Sequence, residues 1–475
     1  MQPSAGVTVP MIPTPVRAAR APAAFLVAAL ALAALLALPA AALRAQAPPR
    51  PAAPAARGAS PAAASLAADT AAVRAAVDRV APAMIEIRHD LHQHPELGNR
   101  EVRTAGIVAD RLRALGLEVR TGIAHTGVVG VLRGGRPGMV VAVRADMDAL
   151  PVTEETDLPF KSTVRTTYNG QDVGVMHACG HDEHTAILLG VATILAGMRE
   201  RLPGTVLFVF QPAEEGVPQG EDGGARMMLA EGAFRDPHPS AVFALHTMAE
   251  MPVGQVGYTA GPTMAAAVEW RAVVRGRQAH GARPELSVDP IVTASQVVLA
   301  LQTIHSRNVS PFAPSVLTVG IMRGGERLNI IPGEVQLEGT LRTYDAAVQD
   351  TIERRMREVF DGITRSAGAS FTLEFGSTYP VVINDRALTA RTLPSLERAV
   401  GKANVRELQP ATVSEDFSYF ANEVPGFYFR LGSTAPGTVS GDHHSPTFRA
   451  DDSAIPVGIR AMTTVVLDYL GGGAR

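Results

Sequence analysis

Gly204–Glu215 reads GTVLFVFQPAEE. Every position from Val206 to Phe210 is apolar, so an extended chain here has no face left for water. A strand of that kind belongs in a sheet covered on both faces, the parallel α/β arrangement. It stops at Pro212 and delivers two adjacent carboxylates, Glu214 and Glu215. They stand just past its C-terminal end, where open α/β sheets place their sites.

The neighbouring segments agree. Ala71–Asp90 carries Val73, Val77, Val80, Met84 and Ile87 at helical spacing, and Glu101–Leu115 predicts a second helix stopped by Gly116. LEVRT (residues 117–121), GVVGVL (127–132) and MVVAVRAD (139–146) read as strands, followed by a helix over Thr185–Arg201. After the opening strand come a helix over Ala225–Phe234 and a buried strand, AVFALHT (241–247). The alternation predicts an α/β domain with a mixed, largely parallel sheet and helices on both faces.

From about Gly261 the order changes. VEWRAVVRG (268–276) is a strand, Asp289–Arg307 a helix, SVLTVGIM (315–322) and EVQLEGTLRT (334–343) strands, Ala346–Gly368 a helix and SFTLEF (370–375) a strand. That is β-α-β-β-α-β, a split βαβ unit of the ferredoxin-like kind. Helices over Ala387–Val400 and Ala454–Leu470 then resume the first pattern. The expected organisation is a catalytic domain in two parts, residues 66–260 and 377–475, interrupted by an inserted ferredoxin-like domain at 261–376.

The first 65 residues stand apart. Arg17 and Arg20 precede a long uncharged apolar run, and Ala40 and Ala42 supply a small-residue cleavage pattern. Residues 1–45 are therefore expected to be a secretory signal, or an N-terminal anchor if retained, since about 20 apolar residues suffice to span a bilayer. Residues 46–65 are a Pro/Ala-rich linker. The expected location is periplasmic or secreted, with membrane attachment only through an uncleaved N-terminal segment. A formal net charge of -3 and 5% aromatic residues give no reason to expect nucleic acid as a partner.

Cys179 is the single cysteine, in GVMHACGHDEHTA (174–186), among His177, His181 and His184. One cysteine closes no disulfide within the chain, which leaves an inert thiol, a nucleophile or a metal ligand. Cys179 and His181 are two apart, and in an extended stretch such residues point the same way, so thiolate and imidazole can converge on zinc or a similar first-row metal. Further donors come from other strand ends: Glu214 and Glu215, His246 in AVFALHT, and His443 and His444 in GDHHSPTF. Asp146 and Asp148 in VRADMDALP are placed to orient ligands from behind. There is no GxSxG elbow, HExxH helix, Walker loop or GxGxxG after a strand.

HQHPELGNRE, VRADMDALP, GVMHACGHDEHTA, FQPAEE, ALHTMAEMPVGQV, HGARPELSVDPI, NIIPGEVQLEGTLRT, SEDFSYF and HHSPTF, in this order, resemble the metal-dependent amidohydrolases of the aminoacylase and carboxypeptidase superfamily. The branch they resemble contains hippurate hydrolase, N-acyl-amino-acid amidohydrolases and plant indole-acetyl-amino-acid hydrolases. The resemblance implies two divalent metal ions per chain, manganese, zinc or cobalt, held by Cys179, His181, Glu215, His246 and His444. Glu214 would be the general base that activates water, with Asp146 behind the site. The inserted domain would be a lid through which a homodimer forms. His280 would reach the partner subunit's substrate carbonyl, while Asn329 and Arg342 would contact substrate. The implied reaction is hydrolysis of an N-acyl amino acid or a related small amide.

His177, His184, His92, His94 and His443 are expected to support the site without binding metal. Two departures from the branch stand out: Glu285 replaces a common histidine in GARPELSVDP, and VPQGEDGGARMM after the glutamate pair is longer than usual. Three rival readings remain: a metallo-carboxypeptidase or dipeptidase with the same site, a non-catalytic binding protein on this fold, and a cysteine hydrolase built on Cys179.

Overall fold

A computed structural model describes residues 69–472. The expected signal, the linker and the expected start at Leu66 lie outside the described residues. Helix α1 (Thr70–Gln93) begins where the Asp69 carboxylate accepts the Ala71 and Ala72 N–H groups, satisfying two donors that have no partner within the helix. Val73, Val77, Met84, Ile87 and Leu91 form its buried stripe. Helix α2 (Val102–Ala114) gives way to Gly116 at φ 73° and leads into strands β1 (Glu118–Ile123), β2 (Gly127–Arg133) and β3 (Arg136–Asp146). A small hairpin, β4 (Arg165–Tyr168) and β5 (Gln171–Gly174), precedes α3 (His181–Ala196). The opening stretch is β6 (Pro203–Gln211), followed by α4 (Gly224–Ala230), β7 (Val242–Pro252) and β8 (Val256–Tyr258).

The next segment contains β9 (Gly261–Met264), β10 (Ala266–Arg275), β11 (Ala279–His280), α5 (Pro290–Asn308), β12 (Ser315–Arg323), β13 (Ile330–Ile331), β14 (Glu334–Thr343), α6 (Ala346–Ala367) and β15 (Ser370–Tyr379). The chain closes with β16 (Val382–Asn384), α7 (Arg386–Val400), β17 (Val405–Glu407), α8 (Phe417–Glu423), β18 (Gly426–Thr434) and α9 (Ala454–Gly471).

Eight strands form a mixed sheet in the order β1-β2-β6-β3-β7-β18-β8-β17. Its centre, β6, β3, β7 and β18, is parallel, while β2 and β8 run antiparallel to their neighbours β6 and β18. The apolar run of β6 divides as the period of two requires. Val206, Phe208 and Phe210 enter the core shared with α1, α2, α3 and α9, and Leu207 and Val209 enter the opposite core with α4 and α8. Phe208 and Phe210 are fully buried, and burial of each such side chain is worth about 1.5–3 kcal/mol. Helices therefore cover both faces.

The connections put a cleft at the C-terminal end of β3. From β3 the chain crosses through α3 to β6 on one side, then through α4 to β7 on the other. Pairing of β3 with β7 spans only Ala142–Arg144, whereas β7 stays on β18 as far as Pro252. Beyond Arg144 the two strands part, at the kind of switch point where α/β sheets bind ligands.

A separate antiparallel sheet, β12-β14-β10-β15, carries α5 and α6 and has its own core around Trp270, Leu301, Leu337 and Phe360. Its topology is the split βαβ pattern. The last strand runs four residues past the expected Phe375, because its pairing with β10 persists to Ala267 opposite Tyr379.

Two sequence expectations shift. Helix α3 starts at His181 rather than Thr185, because the polar run HDEHT is itself buried, and it ends at Ala196 rather than Arg201. Strand β7 does not stop at Thr247 but runs five residues further, with Met248 and Pro252 paired to Gly432 and Thr434 of β18 across a register shift.

Candidate metal centre

Cys179 and His181 are each brought beside Glu215 and His246, by a different route from an extended strand. Gly180 between them sits at φ 90°, a left-handed conformation open to glycine, and a side chain there would meet Thr247 Oγ1 at 2.2 Å. The turn places Cys179 outside α3 and His181 in its first turn, both buried.

Around them the cleft gathers overlapping donor groups: Cys179 with Glu215 and His444, His181 with Glu214 and Glu215, and Cys179 with His246 and His443. The hydrogen bonds of each imidazole decide whether it has a lone pair to offer. His181 Nδ1 lies 2.9 Å from Asp148 O and 3.2 Å from its Oδ1, so it carries the proton. Its buried Nε2 has no hydrogen-bond partner and faces Asp146 Oδ2 and Glu215 Oε1 at 3.8 Å and Glu214 Oε2 at 4.0 Å. His246 Nδ1 donates to Thr247 O at 2.6 Å, which leaves Nε2 free to face Cys179 Sγ at 3.4 Å. His444, held at φ 64° by its N–H bond to Ala178 O, puts Nε2 2.9 Å from Glu215 Oε1.

His184 is excluded as a donor. Its Nδ1 donates to Asp146 Oδ1 at 2.5 Å and its Nε2 accepts the Thr247 N–H at 2.9 Å. His177 is buried, with neither ring nitrogen hydrogen-bonded, and burial lowers its pKa to about 4. His92 bridges Asp182 and Glu154 at the end of α1, and His94 caps the same helix end.

The donor set fits a divalent cation. Burial, then the charges of Glu215 and Glu214, push the Cys179 thiol well above its ordinary range. Burial likewise raises Glu214, reinforced by Glu415, Glu215 and Asp416 against the pull of Arg144. Burial pulls His181 down, but Asp146, Asp148 and Glu215 outweigh it and raise the ring to about 10. Crowded carboxylates around a cysteine sulfur and a buried imidazole nitrogen make a setting that a cation would neutralise, and thiolate, imidazole and carboxylate together suit a borderline first-row divalent metal.

Asp148 and Asp146 divide the contacts behind the site. Asp148 touches His181 Nδ1 and also accepts the Glu215 N–H at 2.9 Å. Asp146 is tied instead to His184 and to Arg144 Nη1 at 2.6 Å. No motif or spacing marks Arg144, yet it is fully buried and also binds Gln211, Glu415 and Asp416. The signal was present, because an arginine inside the apolar strand MVVAVRAD demands counter-charges, and SEDFSYF supplies two. Glu101 is a further missed residue. It accepts the Ala213 N–H at 2.9 Å and steadies the backbone before Glu214, where Ala213 takes φ 52°.

A cavity of about 530 Å³ adjoins the cluster, lined by Glu215, Arg226, Glu269, Arg342, Tyr379 and Ser414, among others. Arg342 donates to Ser414 Oγ at 3.0 Å and forms no ion pair among the described residues. In the longer loop after the glutamates, Glu221 also lines this cavity and is held by Arg100 and Asn99. His280 and Asn329 are not brought to the cluster within the chain; they lie, exposed, where β11 pairs with β13. His280 Nδ1 accepts the Ala282 N–H at 3.0 Å, so its proton is on Nε2. Glu285 is exposed beside Arg283.

Residues 142–468 match the model of peptidase family M20/M25/M40. The chain is 37% identical over 374 residues to the N-acetyl-L-cysteine deacetylase of Bacillus subtilis, covering 78% of this chain and 84% of that protein. It is 35% identical over 397 residues to thermostable carboxypeptidase 2 of Saccharolobus solfataricus, covering 83% and 97%. Among solved structures, the YXEP protein of Bacillus subtilis, described as a dinuclear metal binding peptidase from the M20 family, aligns with TM-score 0.69 and 32% identity over 83% of this chain and 99% of that one.

Proposed function

Because the chain belongs to peptidase family M20/M25/M40, we propose that it is a binuclear metal-dependent amidohydrolase that cleaves N-acyl amino acids. The observation that carries this reading is His181 Nε2, buried without a partner among Asp146, Glu214 and Glu215. Cys179, His181, Glu215, His246 and His444 would hold the ions. Divalent cations there would supply Lewis acidity, lowering the pKa of water and polarising the amide carbonyl. Glu214 takes a proton from water as the new C–O bond forms and delivers it to the amine nitrogen as the C–N bond breaks. Asp148 holds His181 and the Glu215 backbone in place, and Arg144 fixes Asp146.

Residues 261–376 act as the lid. Arg342, half-buried and without an ion pair among the described residues, suits a substrate carboxylate, with Asn329 as a further contact, and His280 Nε2–H suits the carbonyl of a substrate in the partner subunit. Exposed apolar side chains on α5 and the edge strand β12 (Ile291, Val292, Leu299, Val316 and Met322) support a homodimer through this lid. Sedimentation as a monomer would remove that element. The proposed export rests on residues 1–45, and its check is recovery of the protein outside the cytoplasm.

A second reading, a carboxypeptidase with the same site, is favoured by the similarity to thermostable carboxypeptidase 2; it differs only in what lies on the acyl side. The deciding experiment measures metal content and hydrolysis of N-acyl amino acids and free dipeptides before and after chelation. Two ions per chain and acyl-amino-acid cleavage lost on chelation and restored by manganese, zinc or cobalt are expected. Preference for dipeptides selects the second reading, and activity surviving complete metal removal refutes both.

A further inference from the structure

The paired histidines of GDHHSPTF divide their work. We infer that His443 is a positioning residue that donates a hydrogen bond to the Cys179 thiolate and does not itself bind metal. The inference rests on the reading that Cys179 is a ligand.

Two contacts fix the His443 ring. Its Nε2 accepts the backbone N–H of Ala249 at 3.2 Å, so that nitrogen presents a lone pair inward to the protein and the ring proton sits on Nδ1. Nδ1 in turn lies 3.6 Å from Cys179 Sγ, within reach of an N–H···S bond. The ring is held between His246 and Phe448, with centroids 5.4 Å and 4.8 Å away, and has little room to turn over. A ring whose inner nitrogen is occupied by a backbone donor meets the sulfur with hydrogen, not with a lone pair. Proximity alone groups His443 with Cys179 and His246 as a possible ligand trio, and the tautomer removes it.

An N–H donor draws electron density from sulfur. It offsets the repulsion between the thiolate and the carboxylates of Glu215 and Glu214, and it fixes the direction of the sulfur lone pairs, as outer hydrogen bonds do for ligands generally. His443 and His444 thus act on the same centre from adjacent positions, one through the sulfur and the other at Glu215.

The test uses the full chain loaded with cobalt(II), whose thiolate charge-transfer absorption reports on sulfur directly. His443→Asn keeps an amide N–H near the place of Nδ1 and gives up the acceptor. His443→Gln keeps an acceptor near the place of Nε2 and gives up the donor; His443→Leu gives up both. The expected result is a parental band and affinity for Asn. For Gln and Leu the band moves to lower energy and cobalt binds about tenfold more weakly. If Asn behaves like Leu, or binds one ion fewer than the parent, the inference is wrong and His443 is a ligand or a backbone prop. Unchanged band and affinity in Gln and Leu overturn it equally. If the parent shows no thiolate band, Cys179 is not a ligand, and the proposed ligand set fails together with this inference.

Discussion

The hydroxyl of Tyr379 donates to the backbone carbonyl of Glu214 at 2.8 Å. Tyr379 ends β15, the strand by which the chain leaves the four-stranded sheet, so the proposed base is held partly from that sheet. Its other anchors, Glu101 on the Ala213 N–H and Asp148 on the Glu215 N–H, come from the eight-stranded sheet and its loops. Tyr379→Phe removes one hydrogen bond, worth about 1 kcal/mol. The expected outcome is a fall in kcat of about fivefold with KM and thermal stability nearly unchanged. Full kcat in this variant would show that the contact does not position Glu214.

Glu214→Gln preserves size and removes the proton acceptor. Glu214 is not needed to complete the five proposed ligands, so metal content should stay parental while kcat falls about 100-fold or more, the range for loss of a general base. Metal analysis and steady-state kinetics on the same preparation check both halves. Loss of an ion would make Glu214 a ligand, and retained turnover would pass the base role elsewhere.

The fold was legible wherever one residue type served one neighbour. Val206–Phe210, apolar on both faces, announced a covered strand, and the order of segments from Val268 to Phe375 announced the split βαβ sheet. What the local pattern hid was decided by distant partners. HDEHT does not read as buried helix, because the groups that answer its charges, Arg88, His92 and Asp146, lie 38 to 94 residues away. His246 looked like a strand end because β18, which extends the strand, lies nearly 200 residues downstream. The proposed ligands were legible as residue types, cysteine and histidine in GVMHACGHDEHTA and the glutamate pair after β6. The resemblance already separated His444 from His443, whereas the contact of Asp148 with His181 Nδ1 is a hydrogen bond that no spacing encodes.

His92 links α1 to α3 through Asp182 at 2.9 Å and reaches Glu154 at 3.2 Å. Burial lowers its pKa, but Asp182 and Glu154 outweigh that and leave it raised above the ordinary 6.5. A raised folded pKa means the protonated ring favours the folded state. Its contribution is complete below about pH 6.5, the unfolded value, and is lost as pH climbs through the raised folded value. The stability gap between the parent and His92→Asn should therefore be widest near pH 6 and narrow toward pH 9. Urea denaturation of both proteins across that range measures it, and a gap that widens with pH would show that His92 folds neutral.

Arg144 is the counter-charge of the site's rear wall. Fully buried, it reaches Asp146 at 2.6 Å, Glu415 at 2.8 Å and Asp416 at 3.1 Å; burial lowers its pKa, but these anions outweigh that and hold it well above the usual range. Arg144→Met fills similar volume but strands those carboxylates without a cation, and breaking a buried ion pair from one side costs about 3–5 kcal/mol. A large drop in the denaturation midpoint is expected, and the loss should extend to metal affinity, because Asp146 then loses the contact that fixes it beside His181 and His184. Arg144→Lys should recover little of either, since an ammonium cannot serve Gln211, Asp146 and the Glu415–Asp416 pair from one planar fork. Denaturation and metal titration of the two variants decide the matter: parental midpoints in both would mean that the three carboxylates are accommodated without a fixed cation.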